Sequence, residues 1–128
     1  MTLAYWCVLF AALLPIFCAM YAKKRGGFDF KRDNGNPRAF LAQTEGAAAR
    51  ANAAQQNGYE TFAPFAAAVI IAHATGGASQ AAVNFWAVLF VISRILFCLC
   101  YIAGEARLRS AVWGVGFVCI IALFIAAA

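Results

Sequence analysis

Polar side chains able to bind a charged ligand gather between positions 50 and 60, at the entrance to an apolar segment. Arg50, Asn57 and Glu60 fall within roughly 80° of one another on a helix, because each residue advances the helix by about 100°. Gln56 borders the same face. Polar groups that enter a lipid layer are costly and usually have a function there. This face therefore predicts a polar site at the mouth of a membrane-embedded helix.

The composition indicates an integral membrane protein. Hydrophobic residues make up 65% of the 128 residues and charged residues 12%, whereas soluble domains are roughly 45–50% apolar. The mean hydropathy is +0.77. The net charge of +5 arises in two segments that connect apolar runs, as the positive-inside rule predicts. No separate basic domain remains that would bind nucleic acid.

The apolar runs predict an all-α fold, a single domain over residues 1–128 that forms a four-helix membrane bundle. Asn36 followed by Pro37 is a typical helix start, with Asn as the N-cap. A helix from 37 to 74 would be longer than a bilayer is thick, so only its second half should lie in lipid. The predicted spans are 2–22, 58–74 within the helix 37–74, 83–103 and 110–127. Both basic loops should be cytoplasmic, which leaves both termini outside.

The turn at Gly76 and Gly77 allows the depth of side chains to be compared. Glu60 lies about sixteen residues before this turn and Arg94 about seventeen after it, so regular helices bring both to one level. A carboxylate and a guanidinium at one depth in lipid should form an ion pair. That pair could serve a ligand site or only fix the bundle. Arg50 should approach the level of Tyr101, which lies seven residues beyond Arg94 on the same face.

The cysteines predict neither a metal site nor a redox motif. All five fall inside apolar runs, and no zinc-type spacing links them. The expected role is packing as small apolar residues. They are Cys7, Cys18, Cys98, Cys100 and Cys119.

Together these motifs resemble the MAPEG family, the membrane-associated proteins of eicosanoid and glutathione metabolism. The resemblance rests on Arg50-x6-Asn57-x2-Glu60, which is followed by Thr-Phe-Ala-Pro-Phe at 61–65. The third span adds Arg94-x6-Tyr101, and Arg109-Ser110 opens the last span. The sequences NPRAF at 36–40 and AQQNGYETF at 54–62 are most similar to the small bacterial branch of the family.

The resemblance implies a homotrimer in a bacterial inner membrane. It implies that glutathione, the co-substrate, binds between adjacent subunits near the cytoplasmic side. The implied activity is that of a transferase or peroxidase acting on lipophilic electrophiles. The expected partners are thus glutathione, a lipophilic small molecule, membrane lipid and further copies of the chain.

The resemblance also implies roles for individual residues. Asn57 and Glu60, with Gln56 beside them, match the part of the family site that holds the peptide. Arg50 and Arg94 match framework arginines, and Tyr101 matches a tyrosine at the ligand. The residues expected to be catalytic are Arg109 with Ser110, and Arg107 is a second candidate because the register of the short loop is open.

Chemistry supports such a site independently of the family. A thiol with an ordinary pKa of about 8.5 is mostly protonated at neutral pH, and a nearby guanidinium favours the reactive thiolate. The alternative hypothesis is a non-catalytic trimeric membrane protein that binds another small anion or a lipid. It is favoured by Ala53, which stands where eukaryotic members carry a basic residue, and by Phe97, which stands where a tyrosine or histidine is common in the family.

Overall fold

The computed structural model describes residues 1–128 as an all-helical chain. Four helices are long, and two short helices lie between the first and the second of them. In chain order the helices are α1 (Leu3–Gly26), α2 (Phe30–Asp33), α3 (Pro37–Ala42), α4 (Gly46–Thr75), α5 (Gln80–Ala103) and α6 (Ala106–Ala127).

Three of the long helices could cross a membrane by length and composition. The most apolar windows of α1, α5 and α6 have mean hydropathies of 2.2, 2.3 and 2.4. Helix α4 is longer, at 30 residues, but the polar face between Arg50 and Glu60 makes it less apolar. It nevertheless packs against α1, α5 and α6. The chain is thus an all-helical integral membrane protein.

The continuous helix predicted over 37–74 is wrong, because the structure has two helices there. Asn36 caps α3 as predicted, with its Oδ1 accepting from the backbone N–H of Ala39 at 3.1 Å. Helix α3 ends after one and a half turns, and Gly46 then takes the left-handed conformation, with φ +57°. Leu41 is buried with Ala22 of α1 and Ala51 of α4. The break folds α3 back against both helices, so that Leu41 leaves water.

Helices α1 and α4 are in close contact at Pro15 and Gly58. A Cβ atom built on Gly58 would lie 2.7 Å from Cγ of Pro15, a distance that would force the helices apart. The remaining buried positions of α1 are small residues at helical spacing: Ala4, Cys7, Ala11, Cys18 and Ala22. Small residues let helix backbones approach each other in membranes.

The end of the bundle opposite the two short helices is held by side chains that satisfy backbone groups. Oδ1 of Asn84 on α5 accepts from the backbone N–H of Ala4 at 3.1 Å, which satisfies a donor that the first turn of α1 leaves free. His73 of α4 bonds through Nε2 to Oγ1 of Thr2 at 2.9 Å and through Nδ1 to the carbonyl of Val69 at 2.8 Å. These bonds tie the start of α1 to α4 and α5.

The segment between α1 and α4 carries the one ion pair of the chain. Nη2 of Arg32 lies 2.8 Å from Oδ2 of Asp33. The hydrogen bonds from Arg32 and from the backbone N–H of Asp29 hold the pKa of the Asp33 carboxyl below its usual range. Asp29 in turn caps α2 by accepting from the backbone of Lys31 and Arg32.

Candidate functional site

An open groove lies where α4, α5 and the start of α6 meet. Its volume is about 480 Å³, within the range of roughly 300–1,000 Å³ that is usual for small-molecule sites. The walls combine a cation, a hydroxyl group and an amide with three aromatic rings. The lining residues are Asn57, Phe97, Tyr101, Arg109, Ser110 and Trp113.

Arg109 is the cation of this groove. Its guanidinium lies over the ring of Tyr101, with Cζ 4.5 Å from the ring centroid. The connection between α5 and α6 is only Gly104 and Glu105, and Gly104 adopts φ +84°, which a glycine does without strain. The short connection therefore fixes Arg109 on the first turn of α6, facing the end of α5. A cation there can attract an acidic group or favour a thiolate.

The aromatic wall continues from Tyr101 into the core. Tyr101 meets Phe97 edge to face, with the ring centroids 5.4 Å apart. The guanidinium of Arg94 lies 4.1 Å from the centroid of Phe97, and Arg94 itself is only 3% exposed. Two arginines thus contact the two rings, one from within the bundle and one from the groove.

Asn57 connects buried Arg94 to exposed Glu60. Oδ1 of Asn57 accepts from Nη2 of Arg94 at 2.7 Å, and Nδ2 of Asn57 donates to Oε2 of Glu60 at 3.1 Å. The direct ion pair predicted between Glu60 and Arg94 is therefore wrong. The two residues are at one level, but the amide stands between them, which leaves the carboxylate on the exposed side of α4 beside the groove.

The sequence model of the MAPEG family matches residues 3–128, essentially the whole chain. The chain belongs to the MAPEG family. No curated protein and no solved structure matches it. Membership of the family agrees with a membrane protein of glutathione-related chemistry in general.

The MAPEG motif residues do not all reach the groove. Four of the nine predicted residues line it, namely Asn57, Tyr101, Arg109 and Ser110, and Glu60 lies beside it. Ser110 also donates its hydroxyl to the carbonyl of Ala106 at 3.1 Å. Arg107 is exposed and lies outside the groove. Of the two arginines between which the sequence left the choice open, only Arg109 faces the groove.

Arg50 stabilises the end of α5 and does not line the groove. Its Nε donates to the carbonyl of Ile102 at 2.9 Å, one of the carbonyls that the last turn of a helix leaves free. A cation at a helix C-terminus is also favoured by the helix dipole. The predicted approach of Arg50 to the level of Tyr101 is confirmed, and its contact there is with the backbone of α5.

Gln56 faces a second groove, on another side of α4. This groove has a volume of about 390 Å³, and polar side chains contribute to its lining. Besides Gln56 it is lined by Arg38, Leu41, Ala42, Asn52, Gln55 and Tyr59. Gln56 and Asn57 are neighbours in sequence, yet the helix turns them by about 100° into different grooves.

Two residues of the groove, Phe97 and Trp113, were not predicted as site residues, and both line it as aromatic walls. Phe97 was named only as a departure from the family pattern. Helical spacing was a sufficient signal for the first, because Phe97 lies one turn before Tyr101 on the same face. Trp113 likewise lies four residues after Arg109 on α6.

Proposed function

We propose that this chain is a glutathione-dependent membrane transferase or peroxidase that acts on lipophilic electrophiles. The observation that carries the proposal is the position of Arg109 on the ring of Tyr101, inside a groove whose other side holds Asn57 with Glu60 beside it. A cation, an amide and a carboxylate around one groove suit a peptide that carries acids and an amine. The aromatic walls suit a lipophilic second substrate.

Each group has a separate task in this proposal. Arg109 favours the thiolate of glutathione, the reactive species. Glu60 suits the ammonium group of the peptide, and Asn57 keeps that carboxylate turned toward the groove. Ser110 adds a hydroxyl group on the side of Arg109. In a site that excludes water, each of these electrostatic contacts is stronger than it would be in solution.

The second groove supports a site shared between copies of the chain. Asn52, Gln55 and Gln56 would be expensive to expose to lipid, and Tyr59 is 51% exposed in the single chain. A second copy that sets this polar face against the Arg109 groove would cover it and complete the site. We therefore propose a homotrimer, the assembly that the resemblance implies.

The proposed orientation follows the basic segments. With α4 as a fourth span, the segment around Lys23 to Arg32 and the connection near Arg107 lie on one side, which the positive-inside rule makes cytoplasmic. Both termini are then outside. The proposed compartment is a bacterial inner membrane.

Replacement of Arg109 tests the proposed chemistry. In Arg109→Ala we expect kcat/KM for glutathione and a chromogenic electrophile to fall by roughly 100-fold, the usual effect of losing one preorganised electrostatic partner. Without this guanidinium the pKa of the glutathione thiol should be higher. The rate of the variant should therefore rise more steeply with pH than that of the native protein between about pH 6.5 and 8.5.

The matched control is Arg107→Ala, which removes the same charge two residues away, outside the groove. Its kcat/KM should stay within about twofold of the native value, because exposed charges are screened by salt. Equal losses in both variants would show that only the general positive charge of this connection matters. Absence of turnover in the native protein would contradict the catalytic proposal itself.

A non-catalytic role in binding a small anion or a lipid is the second candidate, and Phe97 favours it. This ring lines the groove where family members carry a tyrosine or histidine, so the wall has no polar atom there. A thermal-shift titration in detergent separates the two functions. Stabilisation by glutathione supports the enzyme, whereas stabilisation only by another anion or a lipid supports the binding protein.

A further inference from the structure

A basic groove at the end of α1 lies apart from both grooves described above. Its volume is about 340 Å³, and its three lining residues are Tyr21, Lys24 and Arg25. These residues are exposed, and Lys24 and Arg25 lie near Tyr21 on the helix surface because they follow it by three and four residues. Two cations and a phenol at the border between an apolar helix and a polar loop can bind an anion at the membrane surface.

The two cations of this groove have no carboxylate partner. The one ion pair of the chain joins Arg32 to Asp33, and the ammonium group of Lys23 lies 4.6 Å from the centroid of the Phe28 ring. Lys24 and Arg25 make neither kind of contact. Their charge is therefore available to a ligand from outside the chain.

An exposed apolar stripe on α1 continues from this groove into the membrane. Phe10, Leu13 and Phe17 precede Tyr21 at spacings of three and four residues, so they share its side of the helix. They are 39%, 41% and 58% exposed, although neighbouring positions of α1 are buried. The groove and the stripe thus form one continuous surface, with cations at its end and an apolar strip about as long as half the thickness of a bilayer.

We propose that this groove and stripe bind one anionic phospholipid. Its phosphate would lie between Lys24 and Arg25, with the hydroxyl of Tyr21 as a further donor, and an acyl chain would lie along Phe17 and Phe10. A free phosphate or a soluble peptide would use the cations but not the stripe. The continuity of charge with apolar surface therefore favours a lipid.

Native mass spectrometry of the full chain in detergent can count the bound lipids. Phosphatidylglycerol and phosphatidylcholine with the same acyl chains are compared at equal concentration, and phosphatidylglycerol should bind more tightly. Arg25→Gln should weaken its binding about fivefold, the usual effect of one basic residue at an anionic membrane surface. Binding of phosphatidylcholine should stay unchanged.

Lys31→Gln is the control, because it removes one positive charge from the same connecting segment but away from the stripe. Its effect should stay below about twofold. Equal weakening by both variants would overturn the proposal, since only the general charge of the segment would then act. Equal binding of the two lipids, or stabilisation by inorganic phosphate as strong as by phosphatidylglycerol, would also overturn it. So would a change in the number of copies in Arg25→Gln without loss of lipid, because a second chain would then cover this face.

Discussion

Asn57 uses both ends of its amide, and this fixes which way the side chain points. Arginine can only donate hydrogen bonds, so the Oδ1 atom of Asn57 must face Arg94 and the Nδ2 atom must face Glu60. The hydrogen bond from the buried guanidinium at 2.7 Å therefore determines that the amide donates to the Glu60 carboxylate beside the groove. Arg94 never reaches the groove, yet it sets the orientation of the carboxylate beside it.

Substitutions of Asn57 should separate stability from ligand binding. Asn57→Leu leaves the guanidinium of Arg94 buried without its acceptor, which should cost about 1.5–3 kcal/mol. Asn57→Asp keeps an acceptor for Arg94 but removes the donor to Glu60. We expect the thermal midpoint in detergent to fall for Asn57→Leu and to be kept for Asn57→Asp, whereas both variants should bind glutathione more weakly.

The opposite pattern would contradict this role of Asn57. If Asn57→Asp melted as early as Asn57→Leu, Arg94 would need the neutral amide rather than an acceptor. Thr61→Val is a useful comparison, because the Thr61 hydroxyl bonds only to backbone carbonyls of its own helix, at 3.1 and 3.2 Å. Its loss should leave glutathione binding unchanged.

Counting residues from the turn at Gly76 brought Glu60 and Arg94 to one level but named the wrong partner for Arg94. Residue counts along two helices give depth in the membrane. They do not tell which side chain at that depth turns inward. Glu60 is exposed and Arg94 is buried, and only the packing of α1, α4 and α5 decides that difference. The motif residues were therefore predictable as a set, but their contacts were not.

At the scale of helices, the start of α3 could be predicted and its end could not. Asn36 and Pro37 form a local signal, and the structure has a capped helix there. The end of α3 depends on Leu41, which is buried against Ala22 and Ala51. Those contacts join three separate segments of the chain. Helix propensity is a local property of residues 37–74 and contains no information about such contacts. The positions of the other long helices followed from their apolar runs.

The contact between Gly58 and Pro15 predicts a coupled effect of two substitutions. Gly58→Ala places a Cβ atom 2.7 Å from Cγ of Pro15, and overpacking of this kind usually costs about 1–3 kcal/mol. Pro15→Ala removes the atom that Cβ would meet. We therefore expect Gly58→Ala to lower the thermal midpoint in detergent and the double variant to recover part of the loss.

Gly114→Ala is the control for this cycle, because a Cβ atom at Gly114 meets nothing within 4 Å. Alanine is favoured over glycine in a helix by about 1 kcal/mol, so this variant should melt at the native temperature or above it. Additive effects of Gly58→Ala and Pro15→Ala would mean that the two helices adjust independently of this contact.

At the scale of the whole molecule, α4 presents two polar surfaces to two different grooves. One carries Asn57 and Glu60, and the other carries Gln56 and Tyr59. A single chain leaves the second surface uncovered in the membrane. In the proposed trimer each site takes Arg109 from one copy and the Gln56 groove from the next.

Co-expression of two inactive variants can test this sharing. One variant carries Arg109→Ala, and the other carries Arg38→Ala together with Gln56→Ala. In a ring of three, every mixed trimer has about one site in three that combines a native Arg109 with a native neighbouring groove. We expect activity to return to about that fraction of the native value, measured on purified mixed trimers that carry two different affinity tags.

Two outcomes would contradict a shared site. Mixed trimers that stay as inactive as either parent would show that both grooves must be intact in the same chain. Purification of a single chain or a dimer would contradict the trimer directly. Each variant purified alone supplies the baseline, and its glutathione binding shows which groove the ligand needs.

The two-residue connection of Gly104 and Glu105 fixes the rotation of α6 about its axis relative to α5. One inserted residue would rotate α6 by about 100°, and Arg109 would leave the ring of Tyr101 although both helices stayed intact. The longer segment between α1 and α4 does not determine the direction in which Arg109 points. The segment between α1 and α4 can therefore change in length without moving Arg109, whereas the connection between α5 and α6 must keep its two residues. An insertion in that connection would alter the chemistry of the groove before it altered the fold.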